Sequence, residues 1–275
     1  MKIVCAAFFG VVILASCSSE TGNNGAGVIG AKDSVAHSDS AHLFILPAPL
    51  QVATFLRTHE ASIQIPYLAD KSIAATNYNT DYQRALNLGI NITDVGYAAL
   101  YNNRQLALDY LARTEELVKA LRIEPAVSPY MERIRRNIEN QDSLSYLLLT
   151  LYDDVQNNLN QAKREKTAFY VASGCYLESL AITLQHNNLK TKPQFIRLVA
   201  QEKMWLDNLA ESITYLEPDE ESQDLFNTFF TLQDCYKDIP VKVENNLPSC
   251  TYTPEAFIRL RDKSIQLRNA IVANS

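Results

Sequence analysis

The chain has 275 residues, 47% of them apolar, with 25 basic against 31 acidic side chains and a formal charge of −6. A mildly acidic sequence without a basic cluster argues against a nucleic-acid partner, because neutralising phosphates needs concentrated Lys and Arg. Four histidines leave little material for a zinc site or a histidine triad, and eight glycines are too few for the turns of a β-rich body of this size.

At the start of the chain, Met1-Lys2 precedes an unbroken run of apolar residues and glycine from Ile3 to Leu14, and the small residues Ala15 and Ser16 stand directly before Cys17. This is the charged, apolar and small-residue layout of a cleavable signal. As a helix the run would cover roughly 18 Å, against the roughly 30 Å hydrocarbon core that a spanning segment must cross. Leu14-Ala15-Ser16-Cys17 resembles the bacterial lipobox, in which a signal peptidase cuts before the cysteine and acyl chains, palmitate among them, are attached to its sulfur and its new amine. The resemblance implies a signal peptide over 1–16, lipidation at Cys17, and the membrane itself as a partner, since two or more acyl chains hold a protein stably at a bilayer. Residues 17–42 are small and polar, rich in Ser, Gly and Asn without periodicity, and read as a flexible tether. Ser18 stands where an aspartate would resemble an inner-membrane retention signal. The expected location is the outer membrane, with the body facing the periplasm.

Residues 43–275 are enough for one large domain. Apolar spacing predicts helices over 49–59, 80–102, 104–122, 129–140, 143–164, 166–187, 194–216, 220–237 and 254–272. Leu144, Leu148, Leu151, Val155 and Leu159, for example, recur at three and four residues. Ser128-Pro129 and Thr253-Pro254 each place a capping hydroxyl before a proline, and both read as helix starts. The segment 237–249, with Pro240, Pro248 and Asn245-Asn246, reads as the longest irregular connection. Short connections elsewhere set successive helices antiparallel, so the expected fold is all-α: a multi-helix bundle or irregular antiparallel array in a single domain over 43–275. A tetratricopeptide flavour in Tyr97-Ala98-Ala99-Leu100-Tyr101 does not recur about 34 residues later, as a repeat array requires.

The sequence has no HExxH, GxSxG, Walker loop, GxGxxG, EF-hand or CxxC pattern, and neither a catalytic residue, a cofactor nor a metal is expected. Glu115-Glu116 and Asp153-Asp154 are adjacent pairs, about 100° apart on a helix, and read as solvated faces. Gly89 and Gly96 form a small-residue stripe suited to close helix packing, the alternative being a pocket floor. Tyrosines such as Tyr97, Tyr101, Tyr170 and Tyr176 read as filler between helices, the alternative being a groove for sugars or peptides. Glu178 is the only formally charged residue between Lys166 and Lys190, histidine aside. Its stretch, 168–184, is a poor membrane span and reads as the most buried helix, with Glu178 a buried polar site that needs a partner from another helix. Cys235 and Cys250 bracket the irregular connection, and a disulfide between them would be worth roughly 3 kcal/mol in the chain-entropy model. The alternative is two unrelated thiols.

The lipobox, the polar tether, Ala85-Leu86-Asn87-Leu88-Gly89 leading to Tyr97-Ala98-Ala99-Leu100-Tyr101, and Ser173-Gly174-Cys175-Tyr176-Leu177-Glu178-Ser179-Leu180 together resemble a family of uncharacterised all-helical lipoproteins of the Bacteroidota type. That resemblance implies a cell-envelope location and no activity. The expected role is a non-enzymatic scaffold or interaction module with an envelope protein as partner; the alternative is a lipoprotein that binds a small molecule or glycan. An enzyme built on isolated carboxylates is the third class.

Overall fold

In a computed structural model, the structure describes residues 50–59, 61–138 and 140–273, all within the compact unit His42–Ser275. The expected signal peptide, tether and lipidated Cys17 lie outside the described residues.

The described body is an all-α array. Its helices are α1 (Leu50–Thr58), α2 (Asp81–Leu100), α3 (Arg104–Leu121), α4 (Glu124–Arg136), α5 (Gln141–Gln161), α6 (Glu165–Gln185), α7 (Pro193–Ser212), α8 (Glu220–Tyr236) and α9 (Pro254–Ala273). None of the described helices is long and apolar enough to cross a membrane. Local chemistry sets several starts. Thr80 caps α2 by accepting from the Gln83 N–H at 3.2 Å, while the Gln83 side chain accepts in return from the Thr80 N–H at 3.2 Å, satisfying two otherwise orphaned donors. Thr253 accepts from the Ala256 N–H at 3.2 Å before Pro254, as the Thr253-Pro254 spacing implies.

Two expectations are corrected. The helix expected to begin at Ser128-Pro129 begins at Glu124, with Pro125 in its first turn and Pro129 inside it. Pro125 also sits where a missing N–H costs nothing, and both prolines can share one helix because Pro129 removes a single early ladder bond. The segment expected to be irregular contains a two-stranded hairpin, β1 (Val241–Glu244) and β2 (Leu247–Cys250), antiparallel with Val241 opposite Cys250 and Glu244 opposite Leu247. Asn245 and Asn246 connect the strands at φ 51° and 63°. A two-residue hairpin turn of the primed type needs positive φ at both positions, and asparagine is the residue besides glycine that tolerates it best.

Two helices form the centre. Every residue of α2 from Ala85 to Leu100 is buried, and so is every residue of α6 from Thr167 to Leu184. They pack on each other, with α3 and α1 against α2, and α9, α5 and α7 against α6. Their backbones meet where both lack a side chain. A Cβ added to Gly89 would stand 2.0 Å from the Val171 carbonyl oxygen, and one added to Gly174 would stand 2.0 Å from that of Leu86. The small-residue stripe is therefore a packing surface at Gly89, and its partner is Gly174. Replacing either glycine by alanine should cost at least the upper end of the about 1–3 kcal/mol typical of overpacking, because the obstructing atoms are backbone. Urea unfolding midpoints measure the loss, and an unchanged midpoint would rule out this contact.

Candidate functional site

Three helices and one irregular strand of chain converge on a buried polar cluster. Glu178 on α6 is fully buried, and the Arg268 guanidinium on α9 donates to both of its carboxylate oxygens through Nη1, at 2.6 Å to Oε2. The partner of Glu178 therefore comes from another helix. Asp94 on α2, also fully buried, accepts from the Ala69 N–H through Oδ2 at 3.3 Å. Its Oδ1 has no donor among the described residues, and it lies beside the Glu178 carboxyl. Two ionised carboxylates buried side by side repel, which favours a proton on one of them. Burial pushes both carboxyls upward, Asp94 further than Glu178, since the Arg268 charge opposes the shift more directly at Glu178. The resting assignment is a protonated Asp94 beside an ionised Glu178, with Arg268 neutralising the pair.

The irregular segment 61–79 crosses this cluster, and side chains take up several of its backbone groups. Tyr67 offers its carbonyl to Arg268 Nη2 at 3.0 Å and to Gln185 Nε2 at 3.3 Å. Ala69 accepts from the Tyr110 hydroxyl at 2.6 Å, and Arg113 Nη1 donates to the Lys71 and Ile73 carbonyls, at 2.7 Å to the first. The Gln64 N–H donates to the Tyr97 hydroxyl at 3.3 Å, which in turn meets His186 Nε2 at 3.2 Å. Burial holds His186 down at about 4, so its imidazole is neutral at physiological pH.

A second buried acid lies on α7. Glu202 is fully buried, and both its carboxyl oxygens are without a hydrogen bond among the described residues, as are the hydroxyls of Ser179 and Thr183 on α6. Burial pushes Glu202 well above the usual carboxylate range, against a small opposing pull from Thr183, and keeps it uncharged. Both Glu202 and Arg268 fall in register with apolar stripes, Phe195, Leu198 and Leu206 for the first, Phe257, Leu260 and Val272 for the second. That register was the available sign of their burial, and the apolar pattern alone passed over it, as it passed over Asp94.

The remaining candidates separate. Glu115 pairs with Arg135 at 2.5 Å while Glu116 is exposed, and Tyr130 donates to Asp154 while Asp153 is exposed, so neither acidic pair converges on a ligand. Tyr97, Tyr170 and Tyr176 are buried and packed between helices. The expected disulfide is corrected: Cys175, Cys235 and Cys250 are all free and buried. The hairpin register carries Cys250 onto α7, with Sγ 3.3 Å from the Ile196 carbonyl oxygen, whereas the carbonyl of Cys235 accepts from Arg259 of α9 at 3.2 Å. Among the described residues no three His, Cys, Asp or Glu side chains are grouped to hold a metal ion. A cleft of about 590 Å³ opens between the start of α7 and the hairpin, lined by Ile196 and Arg197 on one side and by Lys242 and Leu247 on the other. No family model, curated protein or solved structure matches the chain.

The cluster has two measurable consequences. Glu178→Met or Arg268→Met leaves a buried charge without its partner and should cost about 3–5 kcal/mol, with the Glu178→Met/Arg268→Met double variant costing less than the two singles together. Additive losses in a denaturation double-mutant cycle would contradict the pairing. Because the folded-state pKa of Asp94 is raised, its contribution is complete below the usual aspartate value near 4 and is lost as pH rises through the raised value. Asp94→Asn keeps a donor toward Glu178 without the titration. It should flatten the fall in unfolding free energy above about pH 4, and an unchanged slope in pH-dependent urea titrations would argue against the shared proton.

Proposed function

We propose that the chain is a cell-envelope lipoprotein, anchored in the outer membrane through acylated Cys17, whose helical body serves as a non-enzymatic interaction module facing the periplasm. The observation that carries this reading is where the reactive chemistry lies. Asp94, Glu178, Arg268 and Glu202 are all at most 2% exposed, so the groups with the most perturbed protonation are enclosed within the helix packing. Catalysis needs such groups within hydrogen-bond reach of a substrate, and these are sealed from one. What the body offers to another molecule is its outer surface. A rigid body on a lipid anchor suits docking at the membrane, where tethering raises the effective concentration of whatever it meets.

Cys17→Ala should move the protein from the membrane to the soluble fraction and abolish palmitate incorporation, and membrane retention of that variant would overturn the anchor. The module reading predicts that the native lipoprotein, extracted in mild detergent, migrates in a complex larger than the monomer. A monomer at native abundance would overturn it.

A further inference from the structure

The outer face of α5 carries a strip of unusual chemistry. Positions 154, 157, 158 and 161 follow one another at three, four and seven residues, so helix geometry sets Asp154, Asn157, Asn158 and Gln161 on one face. Across from them α4 contributes Pro125, Pro129 and Tyr130, and the two helices enclose a cleft of about 310 Å³. That is the lower end of the roughly 300–1,000 Å³ that small-molecule sites occupy.

The lining defines the ligand by elimination. No Lys or Arg lines the cleft, which removes an anion, and the carboxylate and three amides remove an apolar molecule. The side chains of Asn157, Asn158 and Gln161 are exposed and hydrogen-bond to no described residue. Each offers two donors and an acceptor to an incoming group. The Tyr130 hydroxyl donates to Asp154 Oδ2, fixing the carboxylate while leaving Oδ1 as a free acceptor. Pro129 has no N–H to return to the carbonyl of Pro125 four residues back, which leaves a backbone acceptor on the opposite wall. The proline rings supply the apolar surface. Alternating donors and acceptors beside a small apolar face match a ring that carries hydroxyls at its edge and C–H groups on its face.

We propose that the cleft between α4 and α5 is a saccharide-binding site, with Asp154, Asn157, Asn158 and Gln161 taking the ring hydroxyls and Pro125 and Pro129 lying against the ring. The site belongs to the body and would operate whether or not the chain is anchored, so its test is independent of the lipoprotein reading. The test is saturation-transfer NMR on the full chain in lauryldimethylamine oxide, a detergent without sugar, using maltose, cellobiose and N,N′-diacetylchitobiose at millimolar concentration and tetra-alanine as a peptide control. At least one of the three sugars should receive saturation. Asn157→Ala and Asn158→Ala should each weaken its binding roughly tenfold, the effect of losing a well-placed hydrogen bond. Both side chains are exposed, so thermal melts of these variants should match the parent. The proposal is overturned by no transfer to any of the three sugars, by transfer that both substitutions leave unchanged, or by binding of tetra-alanine in their place.

Discussion

The structure depends on one contact, the crossing of α2 and α6 at Gly89 and Gly174. Side chains normally hold helix axes 8–10 Å apart, and here each glycine faces the backbone of the other helix with no room for even a methyl group. Two consequences follow from that closeness. Each helix is covered on all sides, so the other helices arrange themselves around the pair rather than in a simple row. Each is also cut off from water along most of its length, so the polar residues it carries have only the protein to turn to for partners.

That second consequence explains the polar chain through the core. Asn87 reaches the Gln83 and Ile271 carbonyls, and Asn91 accepts from Arg113 at 3.1 Å. Asp94 and Glu178 share the environment of Arg268. With one proton between the acids, the cluster carries no net charge, which is the condition under which two carboxyls and a guanidinium can be enclosed without an uncompensated ion. Asp94 and Arg268 also hydrogen-bond the backbone of the irregular segment 61–79, as do Tyr110 and Gln185. Its backbone is anchored by α2, α3, α6 and α9 together. The cluster thus locks to the central pair a stretch of chain that has little regular structure to hold it.

The division between a sealed interior and an open exterior governs how function is read. The groups with the most perturbed protonation are structural, and the cysteines are thiols packed as small apolar groups, with burial pushing Cys175 and Cys250 up to about 12. The clefts lie outside, where α4 meets α5 and where α7 meets the hairpin. Both clefts are lined at least in part by prolines.

The sequence by itself determined the fold class and the order of the helices. Apolar spacing at three and four residues is a local property, and the scarcity of glycine excludes most alternatives before any packing is known. It also marked Glu178 as a buried acid, because a lone charge in an apolar stretch needs no partner to be recognised as anomalous. The hairpin was legible in Asn245-Asn246 between two short strands, but two prolines nearby pointed equally well to a loop. Only the tertiary structure decided which partner each of these residues has. Arg268 lies 90 residues from Glu178 and Asp94 lies 84 residues before it, and one-dimensional spacing carries no information about contacts across such separations. The crossing that brings α2 onto α6 places the two acids side by side, the docking of α9 supplies the cation, and the hairpin register seats Cys250 against α7.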